Sequence, residues 1–331
     1  MPPAKPPTLK RIAELAQVSP SVVSAVLSGH QGTIRCSAET AERIRATAER
    51  LHYRPSRTAR SLQANEHLAI GLLASRLYYL PHMYLHWLSL ALGARNRVLI
   101  IQSLSESGGQ ASCPMLEQRF VDAAVCAEHL DPAILDRCTE IGLPLLFINA
   151  DPDHPGARIL FDEAQVMADL LAHLQSQGYD RVCYQDHDDD SGYWTRERRD
   201  GLRRAAKALG FPPPTHLPAI PGNSNLGPSA DRLVEACTPG TAIIVQNALV
   251  LPFLHRRLTA RGLRVPEDIG VAALGPPAPD DLTWTNALVE TRLLADQSAD
   301  LLIDPAGMDV GARLRVPYLI APGTSTVRRG G

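Results

Sequence analysis

Between Pro20 and Ser28 the chain sets Ser21, Ser24, Ala25 and Ser28 at i, i+3, i+4 and i+7. A helix there carries a stripe of small, mostly hydroxyl-bearing side chains beside an apolar face of Val23, Val26 and Leu27. A merely solvated helix face is ordinarily charged. A flat stripe instead suits a helix that sinks into a DNA major groove about 12 Å wide, where serine bonds to base edges and alanine meets the thymine methyl. A second chemical candidate is Asp186-His187-Asp188-Asp189-Asp190, which offers hard oxygen ligands and an imidazole to a divalent metal. It has no second ligand cluster beside it, and no G-x-S-x-G, H-E-x-x-H or G-x-x-x-x-G-K pattern occurs. A solvated loop after a strand is the plainer reading, with metal-dependent hydrolysis a remote alternative. Tyr78, Tyr79, Tyr84 and Trp87 form an aromatic group able to stack on a ligand or to pack in a core or dimer interface.

The elements that must position the serine stripe are legible on either side of it. Leu9, Ile12, Ala13 and Ala16 repeat at helical spacing behind Thr8, a ready N-cap. Ser19 caps the next helix, with Pro20 at its first position, where a missing N–H costs nothing. A third helix opens at Ser37 with Glu39 in its first turn and buries Ala41, Ile44, Ala48 and Leu51. Residues 1–65 hold ten Lys/Arg against four Asp/Glu, or +6, so the rest of a chain of net charge −2 carries −8. A basic module thus precedes an acidic body, as phosphate binding requires.

The remaining composition excludes other classes. The 331 residues suffice for about two domains, and no apolar run reaches the roughly 18 needed to span a bilayer. The proline-rich tail Met1-Pro2-Pro3-Ala4-Lys5-Pro6-Pro7 lacks a signal-peptide pattern, so a cytoplasmic location is expected. Six scattered cysteines without a C-x-x-C pair fit reduced thiols better than disulfides or zinc.

Thr8-Leu9-Lys10-Arg11-Ile12-Ala13, then Val18-Ser19 through Val23-Ser24-Ala25-Val26-Leu27, then Tyr53-Arg54-Pro55, followed by Arg57-Thr58-Ala59-Arg60-Ser61-Leu62, resemble the LacI/GalR repressor family in order and spacing. The resemblance implies that Leu62 sits on a hinge helix folding only on DNA and wedging the operator's minor groove, while Arg57 and Arg60 meet phosphates. A segment of about nine residues does need such a partner to stay helical; the alternative is a plain linker. The arginine common on the recognition helix is here Ala25, so readout rests on Pro20, Ser21, Ala25 and Ser28, with His30 and Arg35 of the following loop as further candidates. The DNA-binding set expected is Thr8, Ser19, Pro20, Ser21, Ser24, Ala25, Ser28, His30, Arg35, Tyr53, Arg54, Arg57, Arg60 and Leu62.

From Leu68 onward apolar β-rich runs alternate with helical patterns, the mark of parallel βαβ units. Strands are expected at 69–74, 98–101, 123–126, 145–148, 182–184, 242–245 and 270–273, with helices at 82–94, 131–141, 163–177, 195–209, 229–236, 249–261 and 290–303. The fold class expected is an all-α helix-turn-helix domain plus hinge helix, then an α/β periplasmic-binding-protein-like core of two doubly wound subdomains. The boundaries are a tail 1–7, helix-turn-helix 8–54, hinge 55–67 and core 68–331, the core dividing into 68–157 plus 289–317 and 158–288 plus 318–331.

The resemblance also points to an effector cleft. Arg198 opens an Arg-x-x-Gly-x-x-x-Ala pattern with Gly201 and Ala205 and is expected to reach a ligand beside Trp194, although several neighbouring arginines leave a solvated helix face as the alternative. Tyr78, Asp151, Asn247 and Gly275 complete the expected effector set. Asn247-Ala248 and Gly275-Pro276-Pro277 stand where the family has Asp-bearing motifs, and this loss argues against a simple sugar. The function implied is a sequence-specific regulator of the repressor type. Its partners would be double-stranded operator DNA, a small-molecule effector and a second copy of the chain, with no membrane, cofactor or catalysis. The alternative is a regulator whose sensor has lost its ligand and acts as a dimer scaffold.

Overall fold

Thr8 caps α1 (Leu9–Ala16) through its hydroxyl, which accepts the Arg11 amide at 3.3 Å, and Gln17 closes the helix in the left-handed region at φ 52°. α2 (Pro20–Ser28) begins at its proline, with the Ser19 hydroxyl accepting the Val22 amide. In α3 (Ala38–Arg50) the Ser37 side chain accepts from Thr40. Ile12, Ala13, Ala16, Val23, Ile44 and Ala48 form one small core, and Arg43 Nε reaches back to the Ala16 carbonyl at 3.2 Å, satisfying the open end of α1.

This is a computed structural model, which describes residues 7–28, 36–51, 53, 68–74, 77, 80–104, 113–127, 130–186, 192–218, 220, 225–276, 282–304 and 313–327, without the Ser28 side chain. The chain divides into two units, Met1–Leu68 and Ala69–Gly331. Among the described residues no helix is long and apolar enough to cross a membrane.

The second unit holds two sheets. The first contains β1 (Ala69–Ala74), β2 (Val98–Ser103), β3 (Ala123–Cys126), β4 (Leu145–Ile148), β5 (Ala157–Phe161) and β11 (Arg313–Val316) in the order β11-β5-β4-β3-β1-β2, all parallel. α4 (Tyr84–Ala94) and α11 (Thr291–Ile303) cover one face of it, and α5 (Pro114–Glu117) with α6 (Pro132–Glu140) the other. β1 is buried at every residue, as parallel strands covered on both faces must be. Gly71 admits α5 there, since a Cβ would lie 2.4 Å from Met115 Sδ.

The second sheet runs β12-β10-β9-β8-β6-β7, from β6 (Arg181–Asp186), β7 (Thr215–Pro218), β8 (Thr241–Val245), β9 (Gly270–Leu274), β10 (Thr285–Val289) and an antiparallel β12 (Tyr318–Ala321). α7 (Glu163–Ser176) and α8 (Tyr193–Leu209) pack on one face, and α9 (Leu226–Glu235) with α10 (Leu251–Ala260) on the other. Beside the second sheet a buried polar box closes the chain's end: the Ser325 hydroxyl donates to Val271 O at 2.6 Å, Thr285 and Thr326 hydroxyls meet at 2.6 Å, and His173 Nε2 lies 2.7 Å from Thr326.

Five strands were absent from the sequence-derived set: β5, β7, β10, β11 and β12. β5 carries Arg158, which breaks an apolar run, and β7, β11 and β12 are edge strands whose pairing is decided by their neighbours. β5 also lies wholly in the first sheet, so the chain leaves that lobe after Phe161 rather than near residue 157.

Candidate functional site

On the first unit the proposed DNA-reading side chains divide by exposure. Ser19, Pro20 and Ser21 are exposed, whereas Ser24 and Ala25 are half-buried, so the amino end of α2 is the part open to a groove. Thr8 and Ser19 also serve as caps. Tyr53 packs its ring against the three-helix core, where burial raises its phenol pKa, and its amide donates to Ala48 O at 2.8 Å. His30, Arg35, Arg54, Arg57, Arg60 and Leu62 lie outside the described residues, as do the hinge, the side chain of Ser28, Tyr78, Tyr79 and His187–Asp190.

In the second unit each sheet reverses its winding at one strand: β1 lies between β2 and β3, and β6 between β7 and β8. Crevices open beyond the carboxyl ends of strands at such points. In the second lobe that end presents Gln185, Asp186, Gln246 and Asn247. Asn247 uses its side-chain oxygen locally, accepting the Leu249 amide at 3.0 Å. Gly275 follows β9 at φ 95°, a conformation suited to glycine, and its amide donates to Ala287 O at 2.9 Å. Asp186 is buried and paired with Arg199, and His216 Nδ1 stands 3.4 Å from the same carboxylate. Among the described residues no group of His, Cys, Asp and Glu is arranged to hold a metal ion.

Asp151 does not line this crevice. Its carboxylate accepts from Arg158 Nε at 2.6 Å and Arg313 Nη1 at 2.9 Å, and those arginines are register partners near the amino ends of β5 and β11. Arg158 also donates to the carbonyls of Pro152, His154 and Gly156, so Asp151 helps clamp the loop between β4 and β5.

Arg198 is 8% exposed, and its guanidinium is taken by the chain itself. Nε donates to Glu163 Oε2 at 2.6 Å, and Nη2 donates to Glu163 Oε1 at 3.1 Å and to Tyr318 Oη at 3.2 Å. Tyr318 Oη donates to Glu163 Oε1 at 2.9 Å, and Asn149 Nδ2 donates to the same oxygen at 2.7 Å. Burial alone would lower the Arg198 pKa, but Glu163, then Tyr318 and Tyr184, more than offset it and raise it, so the guanidinium stays charged. Burial, followed by Glu163, raises the Tyr318 phenol, which remains a neutral donor. The Trp194 ring lies 4.9 Å from the guanidinium carbon.

This cluster sits where the chain passes between lobes. Asn149 follows β4 in the left-handed region at φ 51° and also accepts the Phe161 amide, while Glu163 opens α7 just after the crossing. Tyr193 Oη donates to Phe161 O at 3.3 Å beside it. Asn149, Glu163 and Tyr318 were not among the sequence candidates. Asn149 stood two residues from Asp151, whereas Glu163 looked like an ordinary acidic residue in a helix's first turn. Nothing in its spacing tied it to Arg198.

Residues 8–56 match the family described as bacterial regulatory proteins, lacI family, and residues 171–326 match the periplasmic binding protein-like domain. The chain is 32% identical over 182 residues to the sucrose operon repressor of Klebsiella pneumoniae, an alignment spanning 54% of each chain. It is 26% identical over 326 residues to the lactose operon repressor of Escherichia coli (strain K12), covering 90% of this chain and 84% of that one. Among solved structures, the lac repressor dimer bound to operator and the anti-inducer ONPF superposes with a TM-score of 0.78 at 24% identity, over 98% of this chain and 100% of that one. That last likeness is one of fold.

Proposed function

The chain belongs to the lacI family of bacterial regulatory proteins, and on that premise we propose that it is a cytoplasmic repressor which binds operator DNA as a homodimer and answers to a small-molecule effector. The observation that carries the reading is the first unit: three capped helices around one small core, within the family match, that leave Ser19, Pro20 and Ser21 exposed at the start of α2. Two copies would set these helix ends in successive major grooves of a near-palindromic site. Between the grooves, Leu62 would wedge the minor groove, with Arg57 and Arg60 on phosphates. The effector would bind where the carboxyl ends of β6, β8 and β9 meet the lobe crossing, near Trp194, Asn247 and Gly275, and change the angle between lobes.

The test is selection of genomic fragments by the purified full chain, followed by competition against random duplex across a salt series. The expected result is a fragment class retained over competitor, with affinity falling steeply as salt rises. No preference at low ionic strength would refute the reading. Leu62→Ala should weaken binding to the selected fragment far more than to random duplex, and equal losses would remove the wedge from the mechanism.

A further inference from the structure

Regulation by an effector leaves the effector's chemistry open, and the cluster at the lobe crossing bears on it. Glu163 is fully buried, with both carboxylate oxygens engaged: Oε2 by Arg198, and Oε1 by Asn149, Tyr318 and Arg198. A guanidinium gripped at Nε and Nη2 has given its side-on fork to this carboxylate, so a ligand carboxylate or phosphate cannot take that bidentate seat. An anion seeking that seat would have to displace Glu163 and leave a buried charge without its partner, which is strongly unfavourable. The other carboxylates at this end are also matched, Asp186 by Arg199 and Asp162 by Arg315 at 3.4 Å.

Among the described residues, the unsatisfied buried side-chain atoms near this end are neutral. Tyr184 Oη and Gln185 Oε1, at the carboxyl end of β6, and Thr195 Oγ1, in the first turn of α8, are buried and have no hydrogen-bond partner among the described residues. Each can accept a hydrogen bond from a hydroxyl or N–H.

Resting on the regulator reading, we propose that Glu163 is a specificity-determining residue: it fills the anion seat of Arg198 from within the chain, turns away acids and phosphate esters, and leaves the cleft to an uncharged ligand rich in hydrogen-bond donors. The site therefore selects by hydrogen bonding and shape rather than by charge.

The experiment melts the full-length wild type and Glu163→Ala in acetate and in acetamide, at constant ionic strength. Glu163→Ala opens a space of about carboxymethyl size against Arg198, so acetate should stabilise it saturably, at concentrations at least about tenfold below any that affect the wild type. Acetamide, nearly equal in shape but uncharged, should not. An equal acetate response in the wild type overturns the proposal, as does no acetate response, or an equal acetamide response, in the variant. Should Glu163→Ala fail to fold, Glu163→Gln, Arg198→Met and the double Glu163→Gln/Arg198→Met take its place. Glu163→Gln strands the guanidinium and should melt lower than the double, and a double that melts at the sum of the two single losses sinks the idea. Operator binding by the wild type, measured alongside, separates the two failures: losing it removes the regulator reading without altering the acetate result.

Discussion

Arg158 and Arg198 are equally hidden, 7% and 8% exposed, and each is paired with a carboxylate at 2.6 Å, yet they do different work. Arg158 gathers partners between two and seven residues away: Asp151 and the carbonyls of Pro152, His154 and Gly156. It staples one loop within one lobe. Arg198 gathers partners 35 and 120 residues away, Glu163 and Tyr318, and through Glu163 reaches Asn149 on the first lobe. The same side chain at the same burial is a local clamp in one place and a joint between lobes in the other. Burial and charge alone do not separate a local clamp from a joint between lobes; the origin of the partners does.

The largest effect should follow Arg198→Met, which leaves the fully buried Glu163 without its cation. Breaking such a pair costs about 3–5 kcal/mol, read as a fall in stability by urea unfolding. Arg158→Met should cost less, about 1–3 kcal/mol, because Asp151 keeps partial exposure and retains Arg313. A greater loss at Arg158 than at Arg198 would break the comparison.

Asn149→Ala removes both the amide donor to Glu163 and the acceptor for Phe161 N, and places alanine at φ 51°. The expected loss is about 2–3 kcal/mol by the same measurement. If Asn149 joins the lobes, Asn149→Ala and Arg198→Met should be non-additive; simple addition would reduce Asn149 to a local turn residue.

The smallest effect is one of pH. Burial lowers the His173 pKa from its ordinary 6.5, so the folded state favours the neutral ring beside Thr326. Its contribution to stability is therefore present above about pH 6.5 and lost as pH falls below that through the lower folded value. His173→Gln should flatten the decline of melting temperature over that acidic range, and an unchanged slope would assign the decline to other groups. This polar box, unlike the lobe joint, depends on neutral groups.

Much of the molecule was legible before folding. Thr8, Ser19 and Ser37 act as caps where their types and positions predict, because capping is decided within three residues of chain. The central strands β1, β3, β4, β8 and β9 were visible as apolar runs, since burial on both faces demands them. β11 and β12 were not, because edge strands take their pairing from neighbours distant in the chain.

What the sequence by itself determined is therefore the order of the longer helices and central strands, the short helix after Ser19 and the presence of an arginine at 198. Only the tertiary structure decided what that arginine holds. It moved Asp151 to the amino ends of β5 and β11, and it brought Glu163, Asn149 and Tyr318 to one buried point. The physical reason is range: capping and periodicity act over one or two turns of chain, whereas the ion pair at the lobe crossing exists only after three distant segments have packed and water has been excluded.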